Sequence, residues 1–495
     1  MEMSELDLVL VNPGGRERIY QELGGELAAI EPPLWCRLIA GYARDHGFSV
    51  SIIDTEALGW GTERAAREII ALKPKLIGMV VFGHQPSAST QQMVGAGILC
   101  SALKEQAREP PIIILGGHVS ALPERTLTEE KVDYACKGEG PITVVGLLEF
   151  LKNGQTGDLA AIPGLVWRSD GEITVNLSAP LITDLDRDLH GNAWDLLPME
   201  SYRAHNWQCF GDLSARQPYA SIYTSLGCPY HCSFCCINAP FGKSSYRMRR
   251  PERVVSEIDF LVKTYGVKTF KIIDEMFVLN GRHVMAICDL LIELGHDLNI
   301  WAYARVDSVK PHMLEKLKRA GIQWLALGIE SGSKHVRDGA EKALKNEDMI
   351  GIVRQIQAAG IKVIGNYIFG LPDDTAETMR ETLDLAKELN CEFANLYSAM
   401  AYPGSPLYRT AIEKGWALPD GWVGYSQHSY ECQPLPTDTL TAAQVLKFRD
   451  DAFHEYFAHP PYLEMVSRLF GEETRRHVED MAKHRLRRKL LEAHP

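Results

Sequence analysis

The chain has 495 residues, a net charge of −12, 45% hydrophobic and 23% charged residues, and eleven cysteines. This is too long for one ordinary core, so two or three soluble domains are expected, and the acidic balance argues against general nucleic-acid binding. The start (Met1-Glu2-Met3-Ser4-Glu5) lacks the basic and apolar stretches of a secretion signal, and no apolar run is long enough to span a membrane. Cytoplasmic localisation is therefore expected, with the cysteines serving metal or redox chemistry rather than a disulfide framework.

In chain order, short apolar runs at 6–11, 50–54, 76–81, 112–115 and 132–136 read as strands, and 34–46, 63–72, 90–106 and 142–151 as helices between them. Such alternation predicts an α/β class with a parallel sheet covered on both faces. Five strands fit a doubly wound, flavodoxin-like (Rossmann-type) domain over 1–155. Residues 156–205 read as a linker with a hairpin around Ser169-Asp170-Gly171. A second series, with strands at 220–224, 269–274, 299–304, 324–328, 362–368 and 392–398, predicts a partial (β/α)6 barrel of the TIM type over 206–410. Residues 411–495 read as a helical C-terminal domain, with helices at 442–457 and 462–491 broken at His459-Pro460-Pro461. The basic tail (Arg475, Arg476, His477, Lys483, Arg485, Arg487, Arg488, Lys489) reads as a solvated helix face.

The string Leu226-Gly227-Cys228-Pro229-Tyr230-His231-Cys232-Ser233-Phe234-Cys235-Cys236 follows the first strand of the second series. Its loop can wrap the thiolates of Cys228, Cys232 and Cys235 around one four-iron cube. Three cysteines leave one iron open, and that corner can bind the amino and carboxylate groups of S-adenosylmethionine. Reductive cleavage of the sulfonium then yields a 5′-deoxyadenosyl radical able to abstract hydrogen from unactivated carbon. Two alternatives stay open: a zinc site with His231 or Cys236 as fourth ligand, and a four-cysteine electron-transfer cluster. Cys236 reads as packing, and Cys288, Cys391 and Cys432 are scattered, without a close pair.

This CxxxCxxC loop resembles the radical S-adenosylmethionine superfamily, and the resemblance runs over roughly 220–400. It implies an adenine contact at Phe234 and a methionine amino contact at Asp274 and Glu275. It implies a carboxylate contact at Arg305, ribose contacts at Glu330 and Ser331, and an adenine-supporting strand end at Gly370. The domain ahead of the barrel is similar to the cobalamin-binding domain of one branch of that superfamily. There the implied contacts are Asn12, Phe82, His84, Gln85, Gly116, Gly117, Gly138 and Glu139. The loop after the first strand reads Asn12-Pro13-Gly14-Gly15-Arg16 and has no histidine to ligate cobalt, whereas His84 could touch it.

The resemblance implies a cobalamin-dependent radical methyltransferase with a [4Fe–4S] cluster, S-adenosylmethionine and cobalamin as cofactors. The methyl group would pass from methylcobalamin to a substrate carbon radical. Other implied partners are a small-molecule substrate and an electron donor such as flavodoxin or ferredoxin. Tyr397, Tyr402 and the turn Pro403-Gly404-Ser405-Pro406 read as candidate pocket lining, or as a tight connection. The same branch includes an anaerobic cyclase of magnesium-protoporphyrin ester, so oxidative cyclisation or rearrangement without methyl transfer is a second expectation. A non-catalytic iron–sulfur sensor is a third.

Overall fold

Strands that bury both faces need no polar alternation, and the first five apolar runs take that form. The computed structural model describes residues 6–21, 25, 28–342 and 348–492. Within it the runs become β1 (Leu8–Asn12), β2 (Val50–Asp54), β3 (Leu76–Val81), β4 (Ile112–Gly116) and β5 (Tyr134–Cys136). Every residue of β1, β3 and β4 is buried. They pair in the order β2-β1-β3-β4-β5, all parallel. The order reverses between β1 and β3, which leaves a crevice at the carboxyl ends of those two strands.

The hairpin β6 (Leu165–Ser169) and β7 (Glu172–Val175) is not part of a free linker. It extends the first sheet, with β6 antiparallel to β5 through Tyr134↔Trp167 and Cys136↔Leu165. The cause is burial: Leu165 and Val166 are both fully buried there.

The second series begins with β8 (Tyr219–Ile222), followed by a two-stranded ribbon of β9 (Ser225–Leu226) and β10 (Arg247–Met248). It continues with β11 (Thr269–Ile272), β12 (Asn299–Arg305), β13 (Ile322–Glu330), β14 (Lys362–Phe369) and β15 (Phe393–Ser398). The order β8-β11-β12-β13-β14-β15 is parallel throughout and leaves β8 and β15 as edges, so the barrel is open on one side. Local signals start its helices. Pro251 opens the helix Pro251–Tyr265, Asn280 caps Gly281–Leu294 by accepting from the His283 N–H at 3.2 Å, and Thr375 and Thr378 form a capping box on Ala376–Leu389. Each such cap contributes about 1 kcal/mol.

The C-terminal helices are Ala442–Phe457, Pro460–Phe470, Glu472–Met481 and Lys489–Glu492. The single helix expected over 462–491 is therefore divided. Gly471 takes φ +88°, a left-handed value that interrupts the hydrogen-bond ladder. Nor is the basic tail wholly solvated. Arg488 is buried and donates to both oxygens of Asp450 at 2.8 and 2.9 Å, and to the carbonyls of Ser429 and Gln427. No helix among the described residues is long and apolar enough to cross a membrane.

Buried ion pairs join the first sheet to the barrel. Glu257 accepts from Arg37 at 2.8 Å, from the Trp194 indole at 2.9 Å and from Arg249, while the Arg37 guanidinium lies 4.1 Å from the Trp194 ring. Arg247 grips Glu139 at 2.6 Å, with both side chains almost wholly buried.

Candidate active site

The cysteine loop leaves β9 at Gly227. That residue has φ +86°, and a side chain there would strike the Ser245 carbonyl, so the turn requires glycine. The loop is then pinned on both sides. The Ser233 N–H donates to the Ala340 carbonyl at 3.1 Å, the Leu407 N–H donates to the Ser233 carbonyl at 2.8 Å, and the Cys235 N–H donates to the Cys232 carbonyl at 3.0 Å. Cys228 and Cys232 are buried and Cys235 is half-buried.

Burial pushes the Cys228 thiol up to about 11 and raises Cys232 and Cys235 as well. Burial thus favours the thiol form of each in the metal-free chain, and a metal centre would have to displace their protons. Among the described residues no three His, Cys, Asp or Glu groups stand close enough for one metal ion. A four-iron cube does not need that, because each thiolate takes its own corner, and a buried three-thiol loop on a rigid strand end suits it.

Around the loop, several sequence-predicted residues bind the protein itself. Asp274, fully buried after β11, accepts from the Thr224 N–H and the Ser225 hydroxyl, both at 2.6 Å, and from the Thr224 hydroxyl, which anchors the strand end that launches the loop. Arg305 donates to Asp307 at 3.0 Å and lies 4.2 Å from the Tyr230 ring inside the cysteine loop. Glu330 has φ +64° and pairs with Lys342 at 2.8 Å. The Ser331 hydroxyl sits 3.1 Å from that of Thr382, and the Gly370 N–H donates to Asp374 at 2.9 Å.

Glu275 behaves differently. Burial first, and the Asp274 charge second, push its carboxyl up to about 8. It opens on a small cavity shared with Phe82, Gln85, Gly227 and Cys236. There it is a neutral acid that an arriving cation would ionise. Lys342 is absent from the sequence-predicted set. Its ammonium lies 6.0 Å from the Phe234 ring and lends positive charge to Cys232. No motif marks it; only the fold returns it to the loop.

On the first domain, Asn12, Phe82, His84 and Gln85 line the main cavity, whereas Gly116, Gly117, Gly138 and Glu139 do not. Asn12 donates to the buried Asp54 at 2.9 Å, and Phe82 stacks on Trp35 at 4.3 Å. Gln85 donates to the Tyr303 hydroxyl of the barrel at 2.8 Å. His84 Nε2 lies 2.7 Å from the Pro32 carbonyl oxygen, and the buried Nδ1 lies 3.1 Å from Glu31 without hydrogen-bond geometry. Gly116 packs against the Val81 backbone, Gly117 opens a short helix against Ser89, Gly138 hydrogen-bonds Ser120, and Glu139 is held by Arg247. The crevice at the ends of β1 and β3 suits a bulky ligand, being walled by backbone, by Asn12, Phe82 and Gln85, and by the charged pair Arg16 and Glu56.

The main cavity, of about 880 Å³, runs from this crevice past Phe234, Cys235 and Cys236 into the barrel lumen, where Lys271, Trp301, Tyr303 and Tyr397 line it. Tyr402 also lines it, and the turn after Tyr402 closes through the Ser405 hydroxyl on the Tyr402 carbonyl at 2.7 Å. His484 and Arg485 of the C-terminal region reach its mouth.

Comparison with known proteins agrees with this layout. Residues 222–386 match the family model of the Radical SAM superfamily, and residues 21–148 match that of the B12 binding domain. The chain is 28% identical to an uncharacterised methyltransferase of Pyrococcus horikoshii over 93% of this chain and 94% of that protein. It is 27% identical to the anaerobic magnesium-protoporphyrin IX monomethyl ester cyclase of Rubrivivax gelatinosus, over 90% of this chain and 77% of that protein. Its fold is similar to that of TsrM from Kitasatospora setae, a radical S-adenosylmethionine methyltransferase solved with cobalamin and a [4Fe–4S] cluster. That match has a TM-score of 0.68 and 18% identity over 97% of this chain and 100% of that one. With the cysteine loop at the mouth of an open parallel barrel and a doubly wound domain facing it, the chain is an enzyme with a Radical SAM superfamily domain over residues 222–386 and, ahead of it, a B12 binding domain over residues 21–148.

Proposed function

We propose that the protein methylates an unactivated carbon of a small molecule, holding a [4Fe–4S] cluster on Cys228, Cys232 and Cys235, S-adenosylmethionine beside it, and cobalamin in the crevice at the ends of β1 and β3. The observation that carries this reading is the single cavity of about 880 Å³ that connects crevice, cysteine loop and lumen. A radical made at the loop and a methyl donor held in the crevice would act on one substrate without its leaving the cavity. When bound, the cofactors supply a 5′-deoxyadenosyl radical and a transferable methyl group.

The chain's own residues bind and orient. Asp274 fixes the start of the loop, and Glu275 offers a carboxylate to a methionine ammonium. Phe234 and Gly370 would border the adenine, Glu330 and Ser331 the ribose, and Arg305 the methionine carboxylate, directly or through their partners. Asn12, Phe82, His84 and Gln85 would border the corrin. Electrons would come from a flavodoxin or ferredoxin.

The test is anaerobic reconstitution with iron, sulfide and cobalamin, reduction, and addition of S-adenosylmethionine labelled in its methyl group. Label on protein-bound cobalamin together with free 5′-deoxyadenosine is the expected result. Release of 5′-deoxyadenosine without label on cobalamin would replace methyl transfer by the second reading, oxidative cyclisation, which the similarity to the Rubrivivax gelatinosus cyclase supports.

A further inference from the structure

We infer that Glu31 is a specificity residue of the cavity, whose free carboxylate oxygen accepts a hydrogen bond from a neutral O–H or N–H group on a flat, largely apolar substrate seated in the barrel lumen. This rests on the reading that the cavity holds a small-molecule substrate.

Glu31 enters from the first domain at the open side of the barrel, against β8. Three groups converge on one of its oxygens, Oε1. Lys271 donates to it at 2.8 Å, the Tyr219 hydroxyl donates at 3.3 Å, and His84 Nδ1 lies 3.1 Å away. No donor among the described residues reaches Oε2. The side chain lines the cavity and keeps 21% of its surface open to it. A carboxylate serving only as counterion in a buried wall is expected to have both oxygens engaged. Here Oε1 is held by two donors, Lys271 and Tyr219, with His84 Nδ1 close by, while Oε2 takes no donor from the described residues in a side chain that lines the cavity, which makes it the available acceptor.

The charges set the chemistry of the guest. Burial alone would raise the Glu31 carboxyl, but His84 and Lys271 beside it hold it well below the usual carboxylate range. It therefore stays ionised and can only accept. Lys271, 2% exposed, already offsets its charge. A cationic guest would meet the Lys271 ammonium and an anionic guest would meet Glu31, which leaves a neutral donor as the group that gains. The walls set the shape: Trp301 lies 4.9 Å from Tyr303 and 5.2 Å from Trp207, edge to face, and its ring also carries the Lys271 ammonium at 4.7 Å. Such rings favour a flat body.

The probes are 2-naphthol, 2-methoxynaphthalene, 2-naphthoate and 2-naphthylmethylammonium, titrated by calorimetry into the full reconstituted chain. The expected result is that naphthol binds at least about tenfold tighter than its methyl ether, the scale of a hydrogen bond to a charged group. That preference should vanish in Glu31→Ala. Because Glu31→Ala strands a buried ammonium, the double variant Glu31→Ala/Lys271→Met, which removes both charges, is measured beside it and should behave alike. Equal binding of naphthol and its ether, survival of the preference in the double variant, tighter binding of either charged probe, or binding of none would each overturn the assignment. The readout needs no turnover. A preference without methyl transfer keeps Glu31 and removes the methyltransferase reading; methyl transfer without a preference does the reverse.

Discussion

The rim of the barrel and its lumen use charge in opposite ways. At the rim, Asp274, Arg305 and Glu330 are paired inside the protein, with Thr224 and Ser225, with Asp307 and with Lys342. They stiffen the strand ends that carry the cysteine loop. In the lumen, Glu31 and Lys271 form a pair across the domain boundary that still faces open space. Groups already saturated build a platform, and groups left half-satisfied await a ligand. The rim is thus suited to chemistry common to many substrates, and the lumen to choosing one.

The largest expected effect falls on the rim. Cys232→Ala removes one of the three thiols proposed to hold the cluster, so reconstituted iron and sulfide should fall sharply and reductive cleavage of S-adenosylmethionine should be lost. Cleavage that persists in this variant would remove the cluster from the mechanism altogether. The next effect lies where the first domain meets the barrel. Glu139→Ala leaves the Arg247 guanidinium buried beside the Ile182 carbonyl. Stranding one member of a buried pair costs about 3–5 kcal/mol. Replacing both, in Glu139→Leu/Arg247→Met, should restore most of it in denaturant unfolding. Contrast Arg44 and Asp195, paired at 2.8 Å but with side chains 33% and 63% exposed. Asp195→Ala should change stability by at most about 1 kcal/mol, and a larger loss would mean that the domain joint is distributed over its surface as well as its core.

These contrasts also mark what the sequence could reveal. The cysteine spacing and the two strand–helix series are local patterns, so the cysteine loop at a strand end and both sheets could be read directly. The hairpin at 165–175 was legible as a hairpin, but nothing in its residues said that it would extend the first sheet, because that depends on the free edge of β5. Glu139, with the glycines around it, read as a ligand contact; its partner Arg247 lies 108 residues away. Lys342 and Glu31 carry no motif at all, and only the folding of distant segments places one beside Phe234 and the other beside Lys271.

The last effect is the most specific to the rim. Glu275 holds its proton in the folded chain up to about pH 8, against a usual carboxylate value of 4.5. Between those values the unfolded chain has released a proton that the folded chain keeps. This side chain's contribution to stability is therefore complete below about pH 4.5 and drains away as pH climbs toward 8. Glu275→Gln, which cannot ionise, should flatten the pH dependence of unfolding in that window, read as the difference between variant and parent so that other titrating groups cancel. S-adenosylmethionine adds the second half of the test. If its ammonium seats against Glu275, binding at neutral pH should release a proton from the parent and none from Glu275→Gln, measured by calorimetry in buffers of different ionisation enthalpy. Equal proton release by both would show that Glu275, which takes no hydrogen bond from the described residues, is not the carboxylate that meets the cofactor.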